Sequence, residues 1–219
     1  KNSNKNLKFA QWFLDPVTRN GPDYQKNKER LLTKSQFMDC SFLTTSPDAL
    51  DFKIKNTFFI PNPSDYSFEI LENYKKDPEK DLFFAMSHGV HRGVLKKGKK
   101  DRRENFLKKL IKISDKNIKF DLYGFSNRQP VWGDDFIDVI SNSKMGLNLS
   151  RGKPTKYYSS NRIASIMGNG LLTFINEKVR MNDFFNNDEI IFYKSITDLA
   201  DKIIFYSKKD RLRRSIAKK

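Results

Sequence analysis

Short apolar runs recur along the chain, each stopped by Pro, Gly or Asn, and between them lie stretches whose apolar residues return every three or four positions. The first kind reads as buried strands and the second as amphipathic helices. Strands are predicted over 9–14, 40–45, 57–60, 81–86, 118–123, 145–149, 171–175 and 189–193. Stops such as Asp15-Pro16, Pro61 to Pro63 and Gly124 close several of them. Helices are predicted over 24–37, 104–114, 134–142 and 159–167, with one or two more across 197–218 and a single turn over 48–52. From residue 81 onward strand and helix alternate, the pattern of a doubly wound parallel sheet. Residues 9–60 form a shorter strand–helix alternation that resembles the tail of a second α/β domain. The predicted organisation is therefore 1–63, a charged linker over 64–80 with a short helix, and a Rossmann-like α/β domain over 81–219.

Composition narrows the partners. With 42 Lys and Arg against 26 Asp and Glu, the net charge of +16 attracts polyanions: nucleic acid, acidic lipid headgroups or phosphorylated small molecules. A general Lys and Asn bias with solvated faces accounts for the same charge, because the basic tracts are scattered. Cys40 is the only cysteine, so no internal disulfide can form, and it is expected to be a lone buried thiol. No apolar run approaches the ~20 residues of a membrane span. The chain opens on Lys1 and not on Met, as expected of a piece of a longer protein, and a cytoplasmic location is expected.

The strongest candidate for chemistry is the stretch from Gly146 to Asn176. A strand ends in a polar loop containing Ser150, Arg151 and Tyr158. A helix then opens at Ser159, Ser160 and Asn161, and Gly168 to Gly170 lead into the next strand. Such βαβ units bind anions where backbone N–H groups and the helix dipole meet the strand's carboxyl end. Arg162, in the predicted first turn, opposes that dipole and suits a bound phosphate. The same residues also suit a plain helix cap with a solvated arginine.

Two further loops are predicted at the same sheet edge. Ser87, Gly89 and Gly93 follow the strand at 81–86, with Arg92, Lys96, Lys97, Arg102 and Arg103 nearby to neutralise a diphosphate. Gly124, Phe125 and Arg128 follow the strand at 118–123, and Trp132 beyond them could stack on a base or serve as a buried anchor. His88 and His91 are the only histidines and have no carboxylate at ligand spacing, so no metal site is expected. Nor do the acidic residues form an obvious hydrolytic pair.

These pieces, in this order, resemble the donor half of the GT-B glycosyltransferases, especially the group 1-like branch related to spore-maturation glycosyltransferases. The resemblance rests on Phe58 to Pro63 as an inter-domain crossing, and on Asp81 to Ser87 as the first donor-domain strand. It rests also on Arg103 with Leu107 and Leu110, on Phe120 to Gly124 and on Ser143 to Ser150. Its last members are Ser160 to Arg162 with Gly170 to Thr173. It implies transfer of a sugar from a nucleoside diphosphate, a UDP- or GDP-sugar, to a glycan, lipid-linked or protein acceptor. No cofactor or metal is implied beyond that co-substrate. Carried over, Ser160, Asn161 and Arg162 meet the phosphates, while Arg92, Lys97 or Arg103 assists the leaving group as charge stabiliser.

One departure matters. The Glu pair of related transferases falls here on Tyr157 and Ser165, so the ribose contact must come from Ser165 or elsewhere. The resemblance implies that much of the acceptor domain is missing, and Asp15, the one acid at a strand end on the acceptor side, is then the candidate for a catalytic base. Basic segments 96–109 and 202–219 are expected to rest against anionic membrane. Two rivals stand beside this reading: a basic nucleic-acid-binding module, for which no recognised motif is present, and a sugar-nucleotide-binding domain without catalysis.

Overall fold

The computed structural model describes residues 6–19, 21, 23–87 and 101–219. The chain divides into two compact units. The first comprises residues up to Asn62 together with Ser150–Ser159 and Lys178–Arg180. Its three parallel strands, β1 (Ala10–Phe13), β2 (Cys40–Leu43) and β3 (Thr57–Phe59), lie in chain order, with Ala10 opposite Cys40 and Ser41 opposite Thr57. Helix α1 (Tyr24–Ser35) buries Leu31 against Phe13, Val17 and Leu43. Cys40 is half-buried and not fully buried as expected, since strand alternation turns Ser41 and Leu43 inward in its place.

The second unit comprises Pro63–Leu149, Ser160–Glu177 and Met181–Lys219. It holds a five-stranded, wholly parallel sheet in the order β5-β4-β6-β7-β8: β4 (Lys80–Ala85), β5 (Phe120–Tyr123), β6 (Ser143–Asn148), β7 (Leu172–Asn176) and β8 (Ile191–Tyr193). The apolar runs are continuous because both faces are covered. Along β4, Leu82 and Phe84 point into a cluster with α2 (Arg102–Ile113), α5 (Ile196–Lys208) and α6 (Asp210–Ala217). Phe83 points the other way, to Ile140 of α3 (Gly133–Ser141) and Ile166 of α4 (Arg162–Gly168). This is the doubly wound arrangement that the alternation predicts. Among the described residues, no helix is long and apolar enough to cross a membrane.

Two segments behave differently from the expectation. Residues 64–80, read as a linker, are built into the second unit. Asn73 is fully buried, and its side-chain amide donates to the carbonyls of Ile140 and Ser143 at 2.8 and 3.0 Å. The Asn169 side chain accepts from the backbone N–H groups of Ile70 and Leu71 at 3.1 and 3.2 Å. Helix α4 begins only at Arg162, not at Ser159, and spans seven residues, and none of the three expected caps makes a side-chain capping bond there. The Ser160 hydroxyl donates instead to Asn148 Oδ1 at 3.3 Å, and the Ser159 carbonyl accepts from Asn62.

Candidate functional site

In the second unit the chain runs from β4 outward to β5 and then returns to β6 on the other side of β4. Neighbouring crossovers therefore leave in opposite directions between β4 and β6, and in open α/β sheets ligands bind outside the strands' carboxyl ends at such a switch point. A cavity of about 630 Å³ lies there. Ala85, Met86 and Ser87 enter it from the end of β4, and Ser160, Asn161, Arg162 and Ser165 from the start of α4. Trp132 and Asp134 come from the start of α3, and Phe68 and Glu69 from the segment before β4.

Arg162 is bound into this edge. Its Nε donates to Ala85 O at 2.9 Å, and its Nη1 donates to Leu149 O at 3.2 Å and to Ser160 Oγ at 2.7 Å. The guanidinium carbon lies 4.9 Å from the Phe84 ring centroid, a cation–π distance. One planar fork thus joins the carboxyl ends of two neighbouring strands at the place where the sheet reverses its winding. With α4 only seven residues long and these acceptors on Arg162, phosphate binding by the helix end draws no support from this geometry.

The other wall is aromatic and acidic. Trp132 is 49% exposed and Phe68 62%, although both line the cavity. Gly133, at φ +58°, makes the left-handed turn that lets α3 begin directly behind Trp132, and a Cβ there would meet nothing. Glu69 Oε1 lies 3.5 Å from Ser165 Oγ, and Oε2 accepts from the Asp65 N–H at 2.5 Å. The site therefore pairs a carbonyl-bound arginine with a carboxylate, a hydroxyl and two half-exposed rings. Among the described residues, no group of three His, Cys, Asp or Glu could hold a metal ion.

Of the residues expected at the site, Ser87, Ser160, Asn161, Arg162 and Ser165 come together on the cavity. Arg103 does not. It is 6% exposed and forms a two-pronged pair with Asp101, Nε to Oδ1 at 3.1 Å and Nη2 to Oδ2 at 2.7 Å. Gly124 donates its N–H to Gln129 O at the end of β5, and Phe125 packs against the α2 and α5 core. Ser150, Tyr158 and Ser159 belong to the first unit, as does Asp15, which is ion-paired with Arg30. Gly89, Arg92, Lys97 and both histidines lie outside the described residues. Sequence reasoning missed Phe68, Glu69 and Asp134. The signal for the first two was the apolar alternation Tyr66, Phe68, Ile70 within a segment taken for a charged linker.

Comparison with known proteins agrees with this architecture. No curated protein matches the chain. Among solved structures, that of TarM is 15% identical with a TM-score of 0.62, covering 99% of this chain and 46% of its own. Alr3699/HepE from Anabaena, solved with UDP and glucose, is 10% identical with a TM-score of 0.62, over 95% of this chain and 64% of its own. Sucrose-phosphate synthase from Thermosynechococcus elongatus is 11% identical with a TM-score of 0.55, over 97% of this chain and 62% of its own. The chain thus spans between about half and under two thirds of these proteins. At such identities the likeness shows the fold, the Rossmann-like α/β units of GT-B glycosyltransferases. The model of the family described as glycosyl transferase-like matches residues 102–219, from α2 through the last helix. That match takes in more than half of the 219 residues and all of the sheet beyond β4, so the chain belongs to the glycosyl transferase-like family.

Proposed function

We propose that this chain is the donor-binding part of a metal-independent GT-B glycosyltransferase that moves a sugar from a nucleoside diphosphate to a glycan, lipid-linked or protein acceptor. The second unit is its donor-binding body, and the first is part of the acceptor side. The observation that carries the reading is the cavity at the switch point between β4 and β6, whose α3 and α4 walls lie within the family match over residues 102–219. Its volume suits a nucleotide-sized ligand, and Trp132, half exposed on the cavity wall, supplies an aromatic ring for a base. That Alr3699/HepE was solved with UDP and glucose supports a UDP-sugar as the first donor to try. Within the family, the group 1-like branch related to spore-maturation glycosyltransferases is the nearer assignment, on the motifs from Phe58 to Thr173. The basic, partly apolar faces of α5 and α6, with Lys208, Lys209, Arg211 and the exposed Phe205 and Leu212, suit an acceptor held at an anionic membrane.

The test is a thermal-shift and calorimetric panel of UDP, GDP, ADP, CDP and their sugars at low and moderate salt, on wild type and Trp132→Ala. One base class should stabilise the wild type by about 2.7 kcal/mol at 100 times its dissociation constant. Trp132→Ala should bind it about tenfold more weakly through loss of stacking. If no nucleotide shifts the melting temperature while nucleic acid binds with steep salt dependence, the chain is a basic nucleic-acid-binding module instead.

A further inference from the structure

A carboxylate set into the cavity of a chain with net charge +16 asks for a purpose, because a phosphorylated ligand gains nothing from it. Glu69 is held there by three features. Gly168 leaves room for it: a Cβ at residue 168 would come within 2.6 Å of both Cβ and Cγ of Glu69, so only glycine lets this side chain lie along α4. Asn169 pins the following backbone through Ile70 and Leu71. The Asp65 N–H then orients the carboxylate through Oε2, leaving Oε1 beside Ser165 Oγ at 3.5 Å. Each carboxylate oxygen has two acceptor positions, so Oε1 retains capacity for a further donor. Ser165 can both donate and accept.

From this arrangement we infer that Glu69, with Ser165, recognises a vicinal diol, the carboxylate accepting from adjacent hydroxyls of a sugar ring. A carboxylate can take both hydrogens of such a diol at once, and a charged acceptor makes each bond stronger than a neutral one. A ring carrying a second anion in place of a hydroxyl is repelled, which makes Glu69 a specificity-determining residue for neutral, hydroxyl-bearing rings. Two rings in one ligand carry this chemistry, the ribose of the nucleoside and the transferred hexose. The inference rests on the donor-binding reading above.

The experiment is titration calorimetry of the full chain with UDP, GDP, ADP and CDP, each beside its 2′-deoxy counterpart, and with UDP-glucose and GDP-mannose, on wild type, Glu69→Gln and Glu69→Ala. Melting curves of the three proteins verify that they are folded. If the ribose diol is the partner, wild type should prefer the ribonucleotide over its deoxy form by on the order of tenfold or more, and Glu69→Ala should bind both equally. If the hexose diol is the partner, the deoxy forms should bind as well as the ribonucleotides. Glu69→Ala should then lose the preference for the sugar-linked nucleotide over the bare diphosphate. Glu69→Gln, which keeps the Asp65 contact but not the charge, should retain at most part of either preference. Nucleotide binding with both preferences unchanged in Glu69→Ala overturns this inference and leaves the donor site standing. Absence of any nucleotide binding to the wild type overturns both.

Discussion

Arg162 joins Ala85 O, Leu149 O and Ser160 Oγ while covering the Phe84 ring. Removing it leaves two strand-end carbonyls without a charged donor. Arg162→Ala should therefore lower stability by about 2–3 kcal/mol in urea unfolding, with no nucleotide present. Arg162→Lys should recover less than half of that, because a single ammonium lacks the planar fork that reaches both strand ends. An Arg162→Ala protein as stable as wild type would show that the arginine is kept for a ligand alone. Arg103 shows the same economy at another helix start: Asp101 accepts from the Arg103 backbone N–H at 2.9 Å and from its guanidinium, so cap and counter-ion are one side chain.

At the scale of elements, the seat of α4 on the sheet decides the shape of the cavity. Gly146 lies in the middle of β6, and a Cβ there would fall 2.3 Å from Cγ2 of Ile166 and 2.9 Å from its Cγ1. The glycine is what allows the helix to approach this strand so closely. Gly146→Ala should cost about 1–3 kcal/mol by overpacking. In the double variant with Ile166→Val, part of that loss should return, as a non-additive term in a double-mutant cycle. Strict additivity would mean that the helix simply moves away, and then the cavity should lose its nucleotide as well. The segment before β4 is the other determining element, since Asn73 and Asn169 fasten it to α3, β6 and the end of α4.

For the molecule as a whole, charge sets the limits of stability. Partial burial works against the Asp210 carboxylate, but hydrogen bonds from Arg213 and Arg214 outweigh it and hold its pKa below the ordinary 3.8. Burial likewise opposes Asp198, whose pKa is lowered by the Lys194 N–H and by Lys202. In both cases the folded state releases its proton more readily than the unfolded one. The resulting stability is present above the ordinary aspartate range and is lost as pH falls through the depressed folded values. Unfolding midpoints should thus fall between about pH 5 and pH 2. Asp210→Asn should be less stable at neutral pH, because Arg213 is only 1% exposed and would lose its counter-ion, and should lose less on further acidification. An acid limb as steep in the variant as in wild type would assign the loss to other carboxylates.

The local pattern by itself determined the elements and the fold class. Runs such as Leu82 to Ala85, and Leu172 to Ile175 but for Thr173, carry apolar residues on both faces, and a parallel sheet covered on both sides buries them, so strand positions and winding follow from periodicity. That Ser87, Ser160, Arg162 and Ser165 line one cavity was legible because loops at strand ends gather at one edge whatever the details. The tertiary structure decided what the side chains at that edge bind. That Arg162 reaches the carbonyls of Ala85 and Leu149, and that the Ser159 carbonyl receives Asn62, depends on partners distant in sequence that local chemistry cannot rank. The same holds for Glu69, 96 residues from Ser165, which reaches the cavity only because Gly168 and Asn169 hold its segment against α4.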